Sequence, residues 1–214
     1  MFFVGLGNAL ALLFDTAPVP VTWQTAFELW LYPLKAITAL ALLCYFWSEY
    51  DELASKNVGG AKELLFAAVV GLLVYFTWVR INWTLDSRGA GSGYDPFRAG
   101  ANFGLVLAVV RVFGAVIVAP LVEELFWRSF LLRYLIAPQF ESIPLGSFTT
   151  ASFVATTVLF GLEHRLFVAG MVAGAAYALV LYRSRSLWTS VVAHGVTNLA
   201  LAVHALVTQE WRWW

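Results

Sequence analysis

The sequence predicts an all-α fold, a polytopic transmembrane bundle of about seven to eight helices. Three observations carry that prediction. Apolar residues make up 61% of the chain and charged residues only 12%, where a soluble domain is about 25% charged. Mean hydropathy is +0.77, and the apolar residues come in long blocks rather than amphipathic stripes, the pattern of membrane spans. Ten tryptophans and eight tyrosines, many at block edges (Trp23, Trp47, Trp78, Trp83, Trp188, Trp211), fit interfacial aromatic belts. The net charge is zero and the basic residues are scattered, which argues against a nucleic-acid partner. The single cysteine, Cys44, excludes an intrachain disulfide. The whole chain, 1–214, reads as one membrane domain.

A span needs roughly 20 mainly apolar residues, and the blocks follow in order. The first runs from about Phe27 to Trp47, interrupted by Glu28, Pro33 and Lys35, and a polar loop from Ser48 to Glu63 follows it. The second is Leu64 to Val79. Arg80 to Arg98 holds Gly89, Gly91, Gly93 and Pro96, a turn-rich composition that ends helices. The third span, Ala99 to Val118, carries Arg111. Pro120 suits the first turn of a new helix, where its missing N–H costs nothing, so a fourth helix is expected from Pro120 to Ala137. Spans five to seven are Thr149 to Glu163, Phe167 to Tyr182 and Leu187 to Val207. The sixth carries a Gly170-x-x-x-Gly174 close-packing pattern. Met1 to Phe14 is apolar but short and reads as a short or re-entrant helix; the role of residues 1–22 is open.

The chemistry lies in polar residues within these apolar blocks. In Leu121-Val-Glu-Glu-Leu-Phe-Trp-Arg128 two carboxylates and an arginine sit at membrane depth. A charge there costs at least about 2.5–3.5 kcal/mol, which makes each a functional candidate. Glu124 and Arg128 are four apart on one helix face, in the favourable order for an ion pair. Glu123 projects about 100° away from Glu124, so the two carboxylates meet different neighbours. Glu124 is expected against Arg128 or Arg111, with Glu123 left for something else. Phe160 and His164 are four apart near the end of span five, and His194 and Asn198 are one turn apart within span seven. Glu123, His164, His194 and Asn198 therefore lie on three apolar helices and are expected to converge. A carboxylate and an imidazole together hold and deprotonate a water. A second imidazole and a carboxamide N–H stabilise the oxyanion of a tetrahedral intermediate. That is a toolkit for amide hydrolysis without a serine or thiol nucleophile. His204 lies off the His194 face and takes no role.

Glu123-Glu124-x-x-x-Arg128, Phe160-x-x-x-His164 and His194-x-x-x-Asn198, in that order and each on an apolar helix, resemble the three motifs of the CAAX prenyl protease family. That family includes the Ras-converting enzymes and the bacterial Abi (CPBP-type) intramembrane proteases. The resemblance covers residues 99–208, which would be the catalytic core. Flanking text such as Tyr182-Arg-Ser-Arg-Ser-Leu-Trp188 is similar to the bacterial branch associated with exosortase sorting. The resemblance implies an eight-helix-type bundle in a cell membrane, the inner membrane for a bacterial member. It also implies an endopeptidase acting on a membrane-associated protein or peptide, with or without a lipid or a C-terminal tail. Carried over, Glu123 is the general base and His164 helps activate water. His194 and Asn198 line the oxyanion site, while Glu124, Arg128 and Phe160 support them.

No cofactor is expected. Zinc remains an alternative, since one Glu and two His supply three ligands, although no H-E-x-x-H is present. A non-catalytic membrane scaffold or immunity protein is the reading from another class. A proton-coupled transporter relaying through Arg111 and Glu123 is a third, and it lacks any sign of inverted repeats.

Overall fold

A computed structural model of the chain describes residues 21–81 and 93–213; the expected N-terminal helix, Met1 to Phe14, lies outside the described residues. Among these, six long helices and no strand occur. They are α1 (Val21–Tyr45), α2 (Ala61–Trp78), α3 (Ala101–Tyr134), α4 (Thr150–Glu163), α5 (Phe167–Ser184) and α6 (Leu187–Thr208). The all-α membrane bundle stands, with fewer long helices than the seven to eight expected. Among the described residues four helices, α2, α3, α5 and α6, are long and apolar enough to cross a membrane. Their outer faces expose large apolar side chains, among them Leu65, Leu73, Val109, Val203 and Val207. A soluble protein does not leave so broad an apolar surface in water, whereas lipid tails solvate it.

The polar loops end the helices by ordinary local chemistry. Thr149 caps α4 by accepting from the Ser152 amide at 3.2 Å. Arg185 and Gln209 take the left-handed conformation, with φ of 56° and 58°, where α5 and α6 stop. The loop after α1 folds into short 3₁₀ turns between Trp47 and Asn57.

The largest departure from expectation is α3. The third and fourth spans are one helical run, and Pro120 lies inside it instead of opening a new helix. Two π-helical stretches, Gly114–Val118 and Leu125–Leu131, flank the Ala119–Glu124 segment. Proline removes a main-chain donor and crowds the preceding turn. The wide turn just before it relaxes that crowding, so the chain continues without breaking. Such π turns are rare and gather at functional sites.

α2 packs along α6, and α4 along α5, while α6 also lies against the first π turn of α3. The expected Gly170/Gly174 pattern does its packing against α4. A Cβ on Gly170 would come within 2.9 Å of the His164 Cβ, and one on Gly174 within 3.2 Å of the Phe160 Cβ. The two glycines thus let α5 press directly against the residues of the second motif. On α6, a Cβ at Gly195 would meet the Val116 carbonyl at 2.9 Å, so the third motif also sits hard against α3. Trp127, Phe160 and Tyr177, each 1% exposed, form the centre of the core between them.

Candidate active site

Adjacent positions on α3 give the two carboxylates opposite environments. Glu124 is fully buried, and its Oε1 accepts from Arg128 Nη1 at 2.9 Å. Arg128 Nη2 donates to the Gly174 carbonyl at 3.0 Å. Its guanidinium also lies over the Phe160 ring at 4.6 Å and the Tyr177 ring at 5.3 Å. Of the two arginines considered for Glu124, the structure selects Arg128. The same Glu124 Oε1 lies 2.9 Å from His194 Nδ1, a contact the sequence reading did not anticipate. An ionised carboxylate only accepts, so His194 donates from Nδ1, and Tyr177 stacks on its imidazole at 4.9 Å and 19°. The ring is therefore fixed in position, with Nε2 turned outward.

What Nε2 faces is Glu123. Glu123 Oε2 lies 3.9 Å away and makes no hydrogen bond. The Glu123 side chain keeps 32% of its surface exposed. Both groups line a cavity of about 190 Å³, with His164, Asn198 and Arg111 also in its wall. A single water needs only about 10–15 Å³, so the cavity admits water together with part of a substrate.

His164 terminates α4: its backbone leaves the helical region at φ −100° and ψ 141°. Nδ1 donates to the Phe160 carbonyl at 2.7 Å, which leaves Nε2 as the remaining functional nitrogen. The Phe160 ring, 4.5 Å from the His164 ring and 6.2 Å from that of His194, separates the two imidazoles, and Trp78 closes on His164 edge-on at 5.3 Å. Asn198 donates one amide N–H to the Ala115 carbonyl at 2.7 Å, in the first π turn of α3. That bond fixes the carboxamide and leaves a second N–H. Glu123, His164, His194 and Asn198 thus share one cavity. Trp78, Tyr177, Thr197 and Trp213, which also line it, carry no motif signal and had no distinguishing mark in the sequence.

The Nδ1 atoms of both histidines are committed, to Glu124 and to the Phe160 carbonyl, which leaves their Nε2 atoms for whatever enters the cavity. Among the described residues no group of three or more His, Cys, Asp or Glu side chains is placed to hold an ion. His204, given no role, pins two helices instead: its Nδ1 is 2.8 Å from the Tyr75 hydroxyl on α2.

Fold and site together define a multi-pass helical membrane protein with a glutamate–histidine cavity buried among its helices. Residues 105–200, a range that holds every motif residue, match the family described as Type II CAAX prenyl endopeptidase, Rce1-like. The matched family is a protease family, in agreement with the resemblance read from the three motifs. No curated protein and no solved structure matches the chain.

Proposed function

We propose that the protein is an intramembrane endopeptidase that hydrolyses a peptide bond of a membrane-associated protein, with Glu123 as general base. The observation that carries this reading is Glu123 Oε2, without a hydrogen bond, 3.9 Å from a fixed His194 Nε2 in a cavity that His164 and Asn198 also line. A water held at Glu123, with His164 assisting, attacks the scissile carbonyl carbon and gives its proton to the carboxylate. The carbonyl oxygen becomes an oxyanion, which takes hydrogen bonds from the free N–H of Asn198 and from His194 Nε2. Donation from Nε2 requires a second proton on the ring, beside the one that Nδ1 gives to Glu124. Collapse of the intermediate breaks the C–N bond, and the leaving amine takes the proton from Glu123. Both products leave with atoms balanced and the site restored.

No step needs a metal. Purified protein should keep its activity through chelator treatment, and loss of cleavage that zinc restores would reverse this assignment. The bacterial inner membrane is the proposed location, and the substrate is a membrane protein or peptide, with or without a lipid. The decisive experiment uses Glu123→Gln, which keeps shape and removes the base. Peptides captured by this variant are identified and offered to the parent protein, which should cut them. A parent that cuts none of them, or a Glu123→Gln variant that still cuts, removes the proposal.

A further inference from the structure

The cavity wall holds two indoles, Trp78 and Trp213, and three alanines, Ala115, Ala173 and Ala202. The alanines leave space on the helix faces, so the indoles set how much of it a ligand can use. At about 190 Å³ the cavity falls short of the about 300–1,000 Å³ of an ordinary ligand pocket. Trp78 belongs to α2 and stands edge-on to His164, so it is bound up with a motif residue. Trp213 has a different origin. It comes from the 3₁₀ turn Trp211–Trp213 beyond α6, whereas every other lining residue lies on a long helix or, like His164, ends one.

The Trp213 indole is held in place from its own side. Its Nε1 donates to Glu210 Oε2 at 2.8 Å, and the same oxygen accepts from Arg212 Nη2 at 2.8 Å. The Arg212 guanidinium lies 4.6 Å from the ring centroid. The His204 ring packs against the indole at 6.0 Å and is itself fixed by Tyr75. None of these partners takes part in the hydrolytic steps. His204 stands ten residues along α6 from His194, about 15 Å at 1.5 Å per residue. The indole therefore bounds the cavity at the end away from Glu123. We propose that Trp213 is a specificity-determining residue, a fixed wall that turns away bulky substrate side chains near the scissile bond. This rests on the peptidase reading above. An extended chain covers about 3.3–3.6 Å per residue, so the side chain it screens lies within about five residues of the bond cut.

The test is capture by the Glu123→Gln protein in lipid nanodiscs, from N-palmitoylated decapeptides of mixed sequence without aromatic residues. In ten further pools one naphthylalanine is fixed at each position in turn. A pocket's choice between side chains that differ in size is worth roughly 10–200-fold, so at one or more positions the bulky residue should lower recovery about tenfold. Adding Trp213→Ala should bring that loss below about threefold at the same positions. Pools are compared on one preparation, so the folded fraction cancels. Where Trp213→Ala does not fold, Trp213→Leu carries the test: it keeps an apolar side chain on His204 with less bulk, and the loss should fall below about fivefold. Bulk tolerated at every position, or a loss that survives these substitutions, overturns the wall. A parent protein that cuts none of the captured peptides while the loss still depends on Trp213 sinks the peptidase reading alone. Cutting of bulky and slender peptides alike sinks the wall alone, and recovery of no peptide at all removes both.

Discussion

Two clusters of buried charge lie on α3, ten residues apart, and they are built on different plans. At the Tyr134 end, Arg133 donates to Glu52, to the Ser129 hydroxyl at 2.7 Å, to the Ser129 carbonyl and to the Ile143 carbonyl at 3.2 Å. Ser129 in turn donates to Glu52 at 2.6 Å. This network closes on itself and ties the loop after α1 and the loop before α4 to the helix. Around Glu123 the plan is the reverse. Glu124 Oε1 ties Arg128 and His194 together, but Glu124 Oε2 and Glu123 Oε2 make no hydrogen bond, and Glu123 lines a cavity. A closed network of buried charges holds a fold together. One that stops at an unbonded carboxylate has room for a further molecule.

That contrast is open to direct attack by mutation. The largest effect should follow from Glu123→Gln: loss of a general base costs about 10²–10⁴-fold in rate, with the unfolding temperature unchanged. A thermally weakened but active Glu123→Gln protein would make the open end structural and erase the distinction. Asn198→Ala should cost about 10²–10³-fold in kcat by analogy with other oxyanion donors, seen in single-turnover cleavage. Arg133→Ala should do the opposite, leaving turnover per folded molecule intact while lowering stability. Because Glu52 keeps some solvent access, the loss should fall below the about 3–5 kcal/mol of a fully buried broken pair, measured by unfolding in detergent.

The smallest effect concerns acid. Burial would raise the Glu52 carboxyl, but hydrogen bonds from Ser129 and its own backbone, together with the Arg133 charge, outweigh burial and hold it below its ordinary value. A group depressed in the folded state contributes stability above its unfolded pKa and loses it as pH falls through the folded one. Glu52→Gln should therefore flatten the decline in stability at acid pH. An unchanged acid slope would mean that the Arg133 cluster is not held by that charge.

The sequence made some of these features plain and hid others. Glu123, Glu124, Arg128, His164, His194 and Asn198 stand out because each is polar in an apolar block, and helical spacing alone places Glu124 with Arg128. The contact between Glu124 and His194 spans 70 positions and has no periodic signature. The cage that Tyr32 and Tyr94 form around Arg111 is equally hidden, since the two rings come from separate regions and read as ordinary interfacial aromatics. Pro120 misled for a physical reason: a proline is a sound mark of a helix start unless a widened turn precedes it, and no residue type announces a π turn.

Each of those widened turns behaves as one extra residue threaded into α3. Deleting a single position from Gly114–Val118 would return the stretch to ordinary helix and leave the two flanks in nearly the register they now hold. An extra residue that the helix did not absorb in a widened turn would instead rotate one flank by about 100° about the axis, carrying the arginine at position 111 away from the wall that it shares with the acid at position 123. The widened turn is thus what lets the two ends of the cavity stay aligned, and a one-residue deletion there should be far milder than the loss of a motif side chain.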